Sequence, residues 1–170
     1  MAGRKSGRGI VYVRRSGDKQ ETSLEKQLTW AMHAAEDHAV PIDATLEDLF
    51  HMQANRLHRH KAIYLDDALS GDDLERPGLK LLIDDCHRHG ECSHLFVFKR
   101  DRLGRPDSPL DMMVVEEGLR RAGITIVRSD GVAPPTSGGD EDLGELITML
   151  FEYQRAGKFL RDLSAESRII

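Results

Sequence analysis

The sequence predicts an α/β fold: a mostly parallel central sheet of about four to five strands flanked by helices, with a long C-terminal helix. Three observations carry this. Short β-branched, apolar runs alternate with segments whose apolar residues recur at helical spacing. The helical segments are about 10 to 15 residues long, as in the crossovers that join parallel strands. The chain has 170 residues, 39% hydrophobic and 31% charged, which reads as one soluble globular domain with a real core.

Each element has its own signal. A strand over 9–16 contains Ile10, Val11, Tyr12 and Val13, types that suit a pleated, buried surface. Behind it Leu24, Leu28, Ala31, Met32 and Ala35 recur at helical spacing, with Thr22 or Ser23 as N-cap and Pro41 as the stop. Leu46, Leu49, Met52 and Leu57 mark an additional helix over 43–60. "KAIYLDD" (61–67) is a second strand, and a helix starts at Pro77, a favoured first position. "SHLFVFKRDR" (93–102) is a third strand, and "SPLDMMVVEEGLRRAG" a helix ended by Gly123. "ITIVRSD" is a fourth strand. The organisation is thus a flexible tail over 1–8, an α/β domain over 9–139 with a helical insertion near 41–60, and a long terminal helix over 140–170.

Composition removes several classes. No apolar run approaches the roughly 18 residues of a membrane span, and "MAGRKSGRG" has no apolar stretch behind it, so neither a membrane partner nor a secretory signal is expected. Cys86 and Cys92 are too few for a disulfide scaffold, which points to the cytoplasm. The net charge of −5 is unlike a freestanding DNA-binding domain; a chain of this charge that works on DNA leaves most of the duplex grip elsewhere.

The chemistry concentrates where the strands end, the place at which parallel α/β sheets gather functional groups. The first strand ends in Arg14 and Ser16, two residues apart and on one face. The second runs into Ser70, Gly71 and Arg76; the third ends in Asp101, Arg102 and Arg105. Taken singly these are bland: an Arg at a strand end is a solvated charge, Ser70-Gly71 a turn, and Asp101 between two arginines a surface pair worth under about 1 kcal/mol. Together they describe a phosphate site. Guanidinium forks match phosphate oxygens two at a time, and a serine among them is the obvious nucleophile. No metal-ligand set accompanies them in the sequence, so arginines stand where other phosphoryl-transfer sites use Mg²⁺.

The ordered set resembles the catalytic domain of serine site-specific recombinases, the resolvase–invertase and large serine integrase family. "YVRRSGDKQ" matches the Tyr-x-Arg-x-Ser opening, with Tyr12 and Gln20 in support, and "LSGDDLERPGL" and "KRDRLGR" follow in the family's order and spacing. The resemblance, over about residues 9–165, implies a resolvase-like fold and a metal- and ATP-independent enzyme with no cofactor and no small-molecule substrate. Ser16 attacks a DNA phosphate, leaving a 5′-phosphoserine and a free 3′-hydroxyl. Arg14, Arg76, Arg102 and Arg105 hold the phosphate, Ser70 hydrogen-bonds within the site, and Asp101 either handles a proton or orients Arg102 and Arg105. Family members act on DNA as homodimers that pair into tetramers, and a separate C-terminal region reads the DNA sequence. The chain shows no such region before Ile170, so it reads as a catalytic domain cut from a longer recombinase.

Departures stand beside the match. Arg15 points away from Arg14 and Ser16 and is assigned no chemistry. The 41–60 stretch is longer than usual and reads as a structural insertion. Gly157 interrupts the terminal helix, which offers Met149, Leu150, Tyr153 and Leu160 for dimerisation. "CHRHGECSH" (86–94) lacks a standard four-ligand zinc spacing and reads as polar helix-end residues. Two other functions compete: an inactive assembly or regulatory module, and a small-molecule phosphohydrolase, which lacks a Walker-type phosphate loop.

Overall fold

A computed structural model describes residues 7–15, 22–67, 76–103 and 109–136. Ser16, Gln20, Ser70, Arg105 and the terminal helix over 140–170 lie outside the described residues. The elements in chain order are β1 (Arg8–Arg15), α1 (Leu24–Asp37), α2 (Leu46–Asn55), β2 (Arg59–His60), β3 (Ile63–Asp67), α3 (Pro77–His89), β4 (Cys92–Val97), a 3-10 turn (Arg100–Arg102), α4 (Pro109–Arg121), β5 (Thr125–Arg128) and β6 (Gly131–Ala133).

The strands form one six-stranded sheet in the order β2-β3-β1-β4-β5-β6. The four inner strands are parallel, as expected, and short antiparallel strands close both edges. Those two edge strands account for the difference from the four to five expected. They are two and three residues long, below what a hydrophobic pattern can announce.

Helices cover both faces, and β1 divides its residues between them. Val11 and Val13 join Ile63, Leu65 and Phe96 under Leu24, Leu28 and Ala31 of α1 and Leu49 and Met52 of α2. Tyr12 joins Tyr64, Leu95, Val97 and Ile126 under Leu79, Leu82 and Ile83 of α3 and Val115 and Leu119 of α4. Strands buried on both faces explain the near-continuous apolar runs. Helix starts follow local chemistry: Ser23 caps α1 by accepting from the Lys26 amide, and Pro77 opens α3. At Gly78 an added Cβ would lie 2.6 Å from the Leu65 carbonyl oxygen, so glycine is what lets α3 approach β3.

Two boundaries differ from the sequence expectation. The helix expected over 43–60 stops at Asn55, where Arg56 turns left-handed at φ 52°. The Leu57 amide then reaches back to the Met52 carbonyl, and Arg59 and His60 pair with β3. Hydrogen bonding to an open sheet edge wins over further helix, with no glycine or proline to announce it. The strand expected over 93–102 ends at Val97, because the Phe98 carbonyl is taken by the Ser129 amide and hydroxyl and the chain turns. Asp101 and Arg102 therefore sit on the 3-10 turn beyond the strand. Among the described residues no helix is long and apolar enough to cross a membrane.

Candidate functional site

In sheet order β1 has β3 on one side and β4 on the other, so successive crossovers leave it in opposite directions. That makes its carboxyl end a topological switch point, where α/β sheets open a crevice. Three arginines from three elements are buried there: Arg14 at the end of β1 is 3% exposed, Arg76 before α3 is 6% and Arg102 on the 3-10 turn is 4%. Arginine is seldom buried to this extent.

Their convergence is read on one direct contact and one shared neighbour. Arg102 Nη1 donates to the Arg14 carbonyl at 3.4 Å. Tyr12, two residues before Arg14 on the same face, is fully buried and feels both other cations. Burial, then the Asp66 carboxylate, pushes the Tyr12 phenol well above its ordinary range, while the Arg76 and Arg14 charges pull it back.

Asp66 holds this corner together. Its Oδ2 accepts from the Tyr12 hydroxyl at 2.7 Å and from the Leu79 amide at 3.0 Å, and its Oδ1 accepts from the Gly78 amide at 2.8 Å. The first amides of a helix have no intrahelical acceptors. Asp66 supplies them from β3, which fixes where α3 starts and hence where Arg76, its N-cap residue, emerges. A carboxylate at that end also complements the helix dipole.

The end of β1 is held by a side chain too. β1 pairs with β4 only as far as Tyr12↔Val97, so the backbone of Arg14 has no ladder partner on that side. Gln27, on α1 and 1% exposed, takes its place. Its Oε1 accepts from the Arg14 amide at 3.2 Å, and its Nε2 donates to the carbonyls of Arg14 (2.9 Å) and Thr22 (2.8 Å). One amide thereby ties together the two ends of the segment that contains Ser16 and Gln20.

Comparison with known families follows this geometry. The family model described as Resolvase, N terminal domain, matches residues 46–161, about two thirds of the chain. The chain belongs to this family. Serine recombination of DNA is the activity class that membership carries. The match contains Arg76 and Arg102; Tyr12 and Arg14 lie before it in sequence and are brought beside it by the β1–β3 and β1–β4 pairings, while Ser16, also before it, lies outside the described residues. No curated protein matches the chain.

Three other arginines at this edge of the resolvase domain, Arg15, Arg100 and Arg128, are engaged with carboxylates. Arg15 is bidentate to Asp67 at 2.9 and 3.0 Å, on the opposite face from Arg14. Buried Glu116 of α4 accepts from Arg100 at 2.8 and 3.2 Å and from Arg128 at 3.0 Å. So of the two arginines flanking Asp101, one braces α4 and β5 and the other turns inward. Asp101 lies 3.7 Å from Arg102 Nε, too far for a hydrogen bond, with a side chain 49% exposed. This contact orients Arg102 weakly at best.

Sequence reasoning did not single out Gln27, Asp66 or Glu116. Gln27 had a signal: it interrupts the apolar stripe Leu24, Leu28, Ala31 on the buried side of α1. Asp66 and Glu116 had none beyond being acidic, since their partners come from remote segments.

A cleft also opens elsewhere among the described residues, at the amino end of the sheet, lined by Arg8, Arg59, Lys61, Asp85 and both cysteines among others. Its cations already face acids, Arg8 with Glu91, Arg59 with Asp85 and Lys61 with Asp48. Cys86 and Cys92 are free thiols, and no group of three or more His, Cys, Asp or Glu is placed to hold a metal ion among the described residues.

Proposed function

We propose that this resolvase-family chain cuts and rejoins DNA through Ser16. The Ser16 oxygen attacks a backbone phosphorus in line; the bond from phosphorus to the 3′ oxygen breaks, and that oxygen leaves as a 3′-hydroxyl after taking up a proton. The 5′ phosphate is then held as a phosphoserine ester. Rejoining reverses these steps with a 3′-hydroxyl from another strand, so the phosphoester bond is conserved and no nucleotide triphosphate is consumed. Arg14, Arg76, Arg102 and Arg105 bind the phosphate and offset the charge that builds on its equatorial oxygens. Ser70 and Gln20 hydrogen-bond around it, and Tyr12 supports the floor. Asp101, on the exposed side of Arg102, is available to a proton in transit.

The observation that carries the reading is the burial of Arg14, Arg76 and Arg102 at one switch point, at the end of the strand that precedes Ser16 in the sequence. Guanidinium groups gathered in this way suit a phosphate, whose oxygens their planar forks match two at a time. The assembly that performs strand exchange is a homodimer pairing into a tetramer on DNA, with sequence reading by a region C-terminal to the catalytic domain.

Covalent trapping tests this. The protein and a Ser16→Ala variant are incubated in EDTA with DNA from the ends of its own element, then separated on denaturing gels and mapped by peptide mass. The expected result is a 5′-linked adduct on Ser16, absent from the variant. DNA binding without any adduct would favour the inactive assembly module instead.

A further inference from the structure

A second group of side chains at the carboxyl edge of the sheet, on the α1 side, belongs to neither the arginine cluster nor the core. Trp30, the single tryptophan of the chain, is half-buried on α1. It meets Phe98 edge-on, ring centroids 5.6 Å apart at 80°. Lys99 Nζ lies 5.7 Å from the centroid of the Phe98 ring. Lys26 is one turn before Trp30, on the same face of α1 and nearer the sheet's carboxyl edge, because side chains four apart align along a helix.

The charges decide what this surface suits. Most arginines around it are spent on carboxylates: Arg15 on Asp67, Arg100 and Arg128 on Glu116. Lys26 and Lys99 are both exposed, and neither forms an ion pair among the described residues. Two unspent ammonium groups thus flank two partly exposed rings. The strip is rigid: the Phe98 carbonyl is fixed by Ser129, Trp30 packs on the core beneath α1, and Lys99 caps the 3-10 turn that carries Arg102.

Cations flanking paired aromatic rings at the edge that holds the buried arginines suit a nucleic-acid strand, whose phosphates repeat and whose sugars and bases offer flat apolar surface. We propose that Lys26, Trp30, Phe98 and Lys99 form a docking strip for the DNA strand adjoining the scissile phosphate, with phosphates on the two lysines and a deoxyribose or base against the open edge of Trp30. This rests on the Ser16 reading above and names the path of the strand beyond the reacting phosphate.

The single tryptophan makes the test direct. The Ser16→Ala chain is titrated at low ionic strength with a short labelled duplex oligonucleotide and with one of its strands alone, following Trp30 emission and oligonucleotide anisotropy together. The expected result is a change in Trp30 emission at the same midpoint as the anisotropy rise. Lys26→Gln with Lys99→Gln should lower the slope of log affinity against log salt by about two, since each lost phosphate contact removes about 0.9. DNA binding with Trp30 emission unchanged, or with the salt slope unaltered in the double variant, would overturn the strip. So would absence of binding by the intact chain. The Ser16 adduct assay reads separately: an adduct without a Trp30 response sinks the strip alone, and a Trp30 response without an adduct sinks the serine chemistry.

Discussion

The Tyr12 hydroxyl donates to Asp66 at 2.7 Å, and the same carboxylate receives the first amides of α3 from Gly78 and Leu79. One acidic side chain therefore joins the strand that leads to Ser16 in the sequence with the helix that presents Arg76. Tyr12→Phe removes one donor and leaves the two amides on Asp66, so it should cost about 1 kcal/mol in urea unfolding. Asp66→Ala strands a fully buried hydroxyl and two helix amides together, and about 3 kcal/mol or more is expected. Equal costs would mean that the α3 amides find water when Asp66 is gone.

Gln27 gives a sharper separation of folding from function. Gln27→Leu keeps the volume and removes three hydrogen bonds to backbone beside the Ser16 segment. We expect a loss of roughly 2 kcal/mol in stability and, at temperatures where the variant is fully folded, adduct formation slowed by more than about tenfold, as misplacement of reacting groups entails. An undiminished rate in the folded variant would show that the Arg14 backbone is held well enough by β3.

The buried arginines should be needed for chemistry beyond any part they play in the fold. Replacing Arg76 or Arg102 with Met keeps an apolar stem of similar length and removes the charge. Adduct formation by either variant should fall by at least about a hundredfold, the scale of losing one preorganised charge at a phosphoryl centre. Collapse of the fold in both variants would mark these arginines as structural instead.

Gly78→Ala should be among the most damaging single-methyl changes. The new Cβ would sit 2.6 Å from the Leu65 carbonyl oxygen and 3.1 Å from the Asp66 carboxyl carbon, both fixed parts of the site. The start of α3 must move away, at a cost of about 1–3 kcal/mol, and Arg76 moves with it. A stability unchanged within error would refute this close approach.

Helix α2 carries its own acid sensitivity. Burial alone would raise the Asp48 carboxyl, but hydrogen bonds from Thr45 and Lys61 outweigh it and hold the group down at about 2. Asp48 and Thr45 form a reciprocal cap at the start of α2. A depressed folded-state pKa contributes stability that is complete above the unfolded value of 3.8 and is lost as pH falls towards 2. Asp48→Asn should thus destabilise the protein at pH 7, by about 1 kcal/mol for a lost cap, and should flatten stability against pH between those values. An Asn variant with the same acid slope as the parent would assign that slope to other carboxylates.

The alternation of strands and helices, the Ser23 and Pro77 starts and the three charged strand ends were legible in the sequence because each rests on neighbours within a turn or a strand. The same locality made the family resemblance readable, since its motifs are short and ordered. What the tertiary structure decided was partnership. It ended α2 at Asn55, where an open edge of β3 was available, and closed the sheet with two strands too short to have a pattern. It turned Arg102 inward and gave Arg100 to Glu116, although the two stand two residues apart in one charged run. It put Gln27 beneath the end of β1 and Asp66 at the head of α3. The composition of a segment records whether it is buried, and its periodicity records which face; neither carries the register that brings residue 27 against residue 14 or residue 66 against residue 78. Register comes from packing two faces of one sheet at once, and only the folded chain contains it.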